Sequence, residues 1–140
     1  MKIINSIEKT LSKNDTGETG SHQAGIAIPK KTEILSFFPD LDKNIYNPNI
    51  TMNFKDSNGK DWDFRFIYYN NKFFGRTRNE YRLTGTTGFI KNYALKEGDI
   101  ITLSKYKNDQ YSIGFTEKKY SPETPEDILI LGNSWRTVRI

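Results

Sequence analysis

The segment Gly75–Gly85 reads Gly-Arg-Thr-Arg-Asn-Glu-Tyr-Arg-Leu-Thr-Gly, with three arginines, one asparagine and one glutamate together. Arginine donates two parallel bonds to a guanine edge, asparagine pairs with adenine, and glutamate accepts from the cytosine amino group. With Lys72 just upstream, four cations (Lys72, Arg76, Arg78 and Arg82) stand against Glu80. A solvated face with local salt bridges is the ordinary alternative for such a run. Phosphate repels a glutamate, however, unless the carboxylate accepts from a base or orients an arginine. Its place among arginines favours base reading over general adhesion to a polyanion. A second polar stretch, Lys13–Gln23, mixes charged, amide and hydroxyl side chains around two glycines. Its small residues let backbone N–H groups approach phosphates, while His22 and Gln23 can reach base edges.

These stretches need a frame, and the pattern around them is mainly that of strands. In Asp61–Tyr69, Trp62, Phe64, Phe66 and Tyr68 alternate with Asp63, Arg65, Ile67 and Tyr69, which gives the strand two distinct faces. Further strands are expected at Gly25–Ile28, Ile50–Phe54, Tyr81–Leu83, Ile100–Tyr106, Tyr111–Phe115, Ile128–Leu131 and Trp135–Ile140. Asn108-Asp109 marks a hairpin, although without the usual glycine. Ile3–Ser12 is ambiguous between helix and strand: Ile3, Ile7 and Leu11 fit a helix, while Ile7, Lys9 and Leu11 alternate poorly. Two short helices are expected, Thr32–Phe38 with Thr32 as its N-cap, and Gly88–Ala94. Ser121–Asp127 reads as a proline-rich acidic linker. Trp62, Phe64, Phe66, Phe73, Phe74, Phe89 and Trp135 are assigned to packing rather than to base stacking. Many short strands with two small helices point to a β-barrel in a single domain spanning residues 1–140.

Composition narrows the chemistry. The chain has no cysteine and one histidine, His22, which removes thiolate chemistry and histidine-rich zinc sites. No phosphate-binding loop, nucleophile elbow or calcium loop is present. Asp40 and the Glu117-Lys118-Lys119 run are too far apart in sequence to argue for a metal-dependent nuclease. No catalytic residue, metal ligand or cofactor is therefore assigned. The net charge is +4, and no stretch approaches the ~20 apolar residues of a membrane span. A soluble cytoplasmic protein with no membrane partner is expected.

Two long blocks, Asn14–Pro29 and Tyr68–Arg82, resemble the EcoRII restriction endonuclease N-terminal effector-binding domain family, in the same order. The resemblance runs over about residues 7–115. More distantly, Trp62 through Leu83-Thr84-Gly85, with Phe89, Leu95, Gly98-Asp99 and Leu103, is similar to the plant B3 domain. The resemblance implies a DNA-binding pseudobarrel, a mainly β, seven-stranded open β-barrel with two short helices. It implies a grip on the major groove of double-stranded DNA through an N-arm, Lys13–Gln23, and a C-arm, Arg76–Arg82. The N-arm candidates are Lys13, Asn14, Thr16, Glu18, Ser21, His22 and Gln23. Those of the C-arm are Lys72, Arg76, Arg78, Asn79, Glu80, Tyr81 and Arg82. In the family the positions of Glu80 and Arg82 read a C:G pair. Tyr81 stands where the family has lysine, and Ser21 where it has glycine, so the target need not be the family's own. The implied role is targeting within a restriction–modification system, with a nuclease domain or a motor subunit as partner. Two other roles fit the residues: a protein-interaction module with polar arms, or a barrel that stacks single-stranded nucleic acid.

Overall fold

A computed structural model describes residues 2–18, 25–70, 79–118 and 134–139. Eight strands and three short helices follow in the order β1 (Ile3–Thr10), α1 (Lys13–Thr16), β2 (Ile26–Ile28), α2 (Thr32–Leu35), β3 (Asn49–Lys55), β4 (Asp61–Tyr69), β5 (Glu80–Thr84), α3 (Thr87–Asn92), β6 (Ile100–Tyr106), β7 (Tyr111–Thr116) and β8 (Trp135–Thr137). They make one sheet in the order β2-β5-β4-β3-β7-β6-β1-β8. Every neighbouring pair is antiparallel except β3 and β7, which run parallel and meet only at Phe54↔Tyr111 and Lys55↔Ser112.

The sheet curls into an open barrel. Its two outer strands, β2 and β8, are bridged by the Trp135 indole N–H, which donates to the Ala27 carbonyl at 2.8 Å. Among the described residues the strand count is eight, where the resemblance implies seven. β8, within the expected strand Trp135–Ile140, pairs with the second edge of β1 through Ile7↔Thr137, Glu8↔Arg136 and Lys9↔Trp135. Ile3–Thr10 is a strand, which settles the helix–strand ambiguity of the N-terminal segment. A third helical turn, Lys13–Thr16, occupies the start of the polar N-arm stretch. In α2 the N-cap is Lys31, with no side-chain cap bond, and Thr32 is already helical. The Ser121–Asp127 linker, the Ile128–Leu131 strand, Phe73 and Phe74 lie outside the described residues.

The interior is aromatic. Phe37, Phe54, Phe64, Phe66 and Phe89 are all fully buried among Ile7, Leu11, Leu83 and Leu103. Phe38, just after α2, stacks on Phe66 at 4.6 Å and meets Trp135 edge-on, which packs the turn after α2 between β4 and β8. Such pairs add about 0.5–1.5 kcal/mol each beyond the area they bury. No helix among the described residues is long and apolar enough to cross a membrane.

One acid organises the turn between β3 and β4. Asp56 Oδ1 accepts from the Asn58 and Lys60 N–H groups, and Oδ2 from the Trp62 indole at 2.9 Å and from the Tyr93 hydroxyl. The Trp62 bond first, then the Tyr93 and backbone bonds, hold its carboxyl down at about 2. The same bond to Asp56 raises the Tyr93 hydroxyl above its ordinary value. A folded-state value below the unfolded one means that Asp56 stabilises the fold above about pH 4 and loses that contribution as pH falls toward 2. Asp56→Asn is expected to lower the melting temperature at pH 7, because an amide N–H₂ then faces a donor. It is also expected to flatten the decline in melting temperature between pH 4 and 2. An unchanged acid slope would show that other carboxylates control it.

Candidate nucleic-acid interface

The two polar stretches enter the barrel on neighbouring strands. The chain comes from the N-arm into β2 at Gly25 and from the C-arm into β5 at Asn79. β2 and β5 are antiparallel, with Ile26↔Leu83, Ala27↔Arg82 and Ile28↔Tyr81 opposed. Antiparallel pairing therefore puts the two entry points at opposite ends of one short ladder. Gly25 lies one step beyond the Ile26↔Leu83 pair, beside Thr84, five residue steps along β5 from Asn79 and roughly 17 Å at ~3.4 Å per residue.

Gly25 is the tightest point. Its φ is +74°, and a Cβ built there would lie 2.1 Å from the Leu83 carbonyl oxygen. Only glycine lets the base of the N-arm stretch come this close to β5. The Gly25 carbonyl in turn accepts from Arg82 Nη1 at 3.2 Å, while Arg82 Nε donates to Glu80 Oε1 at 3.3 Å. Arg82 thus ties the start of β2 to its own strand, with its side chain 11% exposed against 35% for Glu80. Asn79, exposed at the C-arm end, accepts on Oδ1 from Lys30 Nζ at 2.9 Å and from the Tyr68 hydroxyl at 2.6 Å.

The alternation of β5 sorts the C-arm candidates. Glu80 and Arg82 share one face, and Tyr81 with Leu83 the other. Tyr81 is 5% exposed and stacked on Tyr68 at 4.4 Å and Phe66 at 5.6 Å. Its ring belongs to the core, which removes it from the set of candidate contact side chains.

The N-arm begins in α1, where Ser12 Oγ accepts from the Asp15 N–H and the Asp15 carboxylate accepts from the Ser12 N–H. Asp15 also takes Lys9 Nζ at 2.8 Å, with both side chains 8% exposed, and Lys9 reaches Ser134 Oγ as well. Breaking such a buried pair from one side costs about 3–5 kcal/mol, so α1 is firmly anchored. Glu18 Oε2 accepts from the Thr16 hydroxyl at 2.5 Å and from the Glu97 N–H at 3.0 Å. The Thr16 bond first, then the Glu97 bond with help from Lys13 and Lys96, lowers the Glu18 carboxyl below its usual range. Thr16 and Glu18 thus pin the arm to the loop before β6.

A hollow of about 500 Å³ brings together Asn14, Lys30, Asn79, Glu80, Arg82 and Trp135. Lys13, Thr16 and Glu18 do not line it. Ser21, His22, Gln23, Lys72, Arg76 and Arg78 lie outside the described residues. Lys30 and Tyr68, which both donate to Asn79, are positions that the sequence pattern did not single out as site candidates. The only signal for Lys30 is the Lys30-Lys31 pair that closes β2. A larger hollow of about 780 Å³, between β3 and the β6–β7 hairpin, shares no residue with the first. Its lining mixes Met52 and Ile113 with Asp109 and Lys55, and no set of groups converges there. Among the described residues no histidine, cysteine, aspartate and glutamate group is arranged to hold a metal ion.

Residues 2–109 match the family model described as restriction endonuclease EcoRII, N-terminal. The type II restriction enzyme EcoRII of Escherichia coli is 37% identical over 105 residues, which is 73% of this chain and 26% of that protein. The AP2/ERF and B3 domain-containing transcription factor RAV1 of Arabidopsis thaliana is 30% identical over 117 residues, 81% of this chain and 31% of that one. The chain spans between a quarter and a third of the length of these two relatives. Among solved structures, that of the Arabidopsis FUS3–DNA complex superposes with a TM-score of 0.61 at 23% identity, covering 80% of this chain and 96% of that one. At that identity the likeness establishes the architecture, an open barrel of the B3 kind.

Proposed function

The chain belongs to the family of the EcoRII N-terminal domain, and from this we propose that it recognises a short sequence in double-stranded DNA. The observation that carries the proposal is the β2–β5 ladder, with an arm entering at each end and Asn79, Glu80 and Arg82 gathered beside it. Glu80 and Arg82 read a C:G pair: the carboxylate accepts from cytosine N4–H, and the guanidinium donates to guanine. Asn14 and Asn79 add polar contacts from the same hollow. Lys13, Lys72, Arg76 and Arg78 hold phosphates and set the register of the grip, with Ser21, His22 and Gln23 on the N-arm side. Thr16 and Glu18 hold the arm rather than the DNA. The domain acts as the targeting module of a restriction system, and cleavage belongs to a nuclease domain or partner subunit.

The deciding experiment is selection of bound duplexes from a random library at ~150 mM salt, where non-specific phosphate binding is suppressed. Enrichment of a motif of several base pairs that includes C:G is the expected result. Binding without enrichment, fading as salt rises, would overturn the proposal. On the selected duplex, Lys72→Ala is expected to weaken cognate and random DNA alike and to reduce the slope of log K against log salt by about one unit. Discrimination lost at one base pair would instead make Lys72 a base reader.

A further inference from the structure

Asparagine in a DNA-reading segment ordinarily suggests adenine, because its amide can donate to N7 while accepting from the N6 amino group. The surroundings of Asn79 close off that mode. Lys30 Nζ, 2.9 Å away, carries only donors, so the amide atom facing it must be the oxygen. The Tyr68 hydroxyl lies 2.6 Å from the same atom and must therefore donate to it as well. A carbonyl oxygen has two lone pairs, and both are taken. The side chain is exposed at the mouth of the hollow beside Glu80. Lys30 stands just past β2 and Tyr68 on β4, so two separate elements fix the orientation of the amide.

Resting on the reading of this face as the DNA-binding surface, we infer that Asn79 meets DNA only as a hydrogen-bond donor. Its partner is then an acceptor, namely the N7 or O6 of guanine, the O4 of thymine, the N7 of adenine taken alone, or a phosphate oxygen, and not the paired donor–acceptor edge of adenine. Lys30 and Tyr68 act as positioning residues that set this polarity without touching the base.

The test uses the full chain and the duplex obtained by selection. Asn79→Asp keeps an oxygen for Lys30 and Tyr68 and removes the N–H₂ donors. It is expected to leave the melting temperature in place and to weaken the selected duplex by roughly tenfold. The contact is located with modified duplexes: a 7-deazapurine at each purine, 2-aminopurine (which lacks O6) at each guanine, 4-thiothymine at each thymine, and a methylphosphonate at each phosphate, one position at a time. At one position the modification should weaken the wild type yet cost Asn79→Asp nothing further. A base position assigns base reading, a phosphate position assigns backbone contact, and either supports the donor role. Removal of the N6 amino group from an adenine, if it weakened the wild type and Asn79→Asp alike but cost Asn79→Ala nothing further, would show Asn79 accepting and overturn the inference. So would a variant that binds every duplex as the wild type does. A second variant, Lys30→Met with Tyr68→Phe, frees the amide to turn; where a guanine position is assigned, it should move preference there toward adenine, and an unchanged preference would deny both residues their positioning role. Failure to select any motif would overturn the recognition proposal itself and this inference with it. A motif with an unaffected Asn79→Asp overturns the inference alone.

Discussion

Gly25→Ala is expected to lower the melting temperature by on the order of 10 °C, a large effect for the addition of one methyl group. Two costs combine. At φ +74° an L-residue is worse than glycine by about 1–2 kcal/mol. The added Cβ also meets the Leu83 carbonyl oxygen at 2.1 Å and the Thr84 Cα at 2.7 Å. Those are backbone atoms of β5 and cannot swing aside as a side-chain tip can. β2 must move away, and a three-residue strand has few ladder bonds with which to resist. The total is roughly 3–5 kcal/mol, near the upper end for point substitutions. Gly17→Ala is the control. Its φ is +82° with nothing within 4 Å of the added carbon, so only the backbone cost of about 1–2 kcal/mol applies. Thermal unfolding of the two variants side by side decides the matter. Equal effects would show that Gly25 serves only its own dihedral angle and not the approach of β2 to β5.

Arg82→Lys is expected to weaken the selected duplex by about 1–3 kcal/mol, a factor of roughly 5 to 150, with little change on random DNA. Lysine keeps the charge, so phosphate attraction survives, but it loses the planar fork that grips a guanine edge. The arginine also ties Gly25 to β5, so the melting temperature must be followed alongside binding. Glu80→Gln separates the roles, because it leaves a side chain of the same size and removes the charge that Arg82 Nε meets at 3.3 Å. Its expected signature is relaxed discrimination at the same C:G pair. Losses of equal size on selected and random duplexes, for both variants, would remove base reading from this pair and leave it a structural tie.

Asp61–Tyr69 was legible to the residue, because alternating aromatics facing a barrel core leave a clear period of two. The first strand was not, and Lys9 is the reason. It sits 7% exposed at a position that alternation reserves for an apolar residue, neutralised by Asp15 across the turn. Ser6, bonded to Ser104 Oγ, blurs the pattern in the same way. The helical turn after it had a signal in Ser12 and Asp15, three residues apart, which reads as a capping pair once α1 is known. In the β6–β7 hairpin, Asp109 takes φ +64°, the left-handed conformation for which the sequence offered no glycine. Tyr81 shows the opposite case. The alternation that organised β4 also separates Tyr81 from Glu80 and Arg82, so composition of the arm was the weaker guide there. The parallel contact of β3 with β7 and the polarity of Asn79 depend on residues distant in the chain, and no local pattern encodes them.

The seam at Trp135 has a consequence for how the protein is made. β1 finds its partners only around residues 100–106 and 135–137, and β2 reaches Trp135 across 108 positions of sequence. At ~5–20 residues per second on the ribosome, the N-terminal strand waits on the order of ten seconds for β6 to appear. The β3–β4–β5 meander can pair during that interval, since its strands are consecutive. The face between the arms is therefore completed last, after the synthesis of Trp135. A nascent chain stalled before that residue would carry most of the barrel while still lacking the clasp that sets β2, which follows the N-arm, against β8.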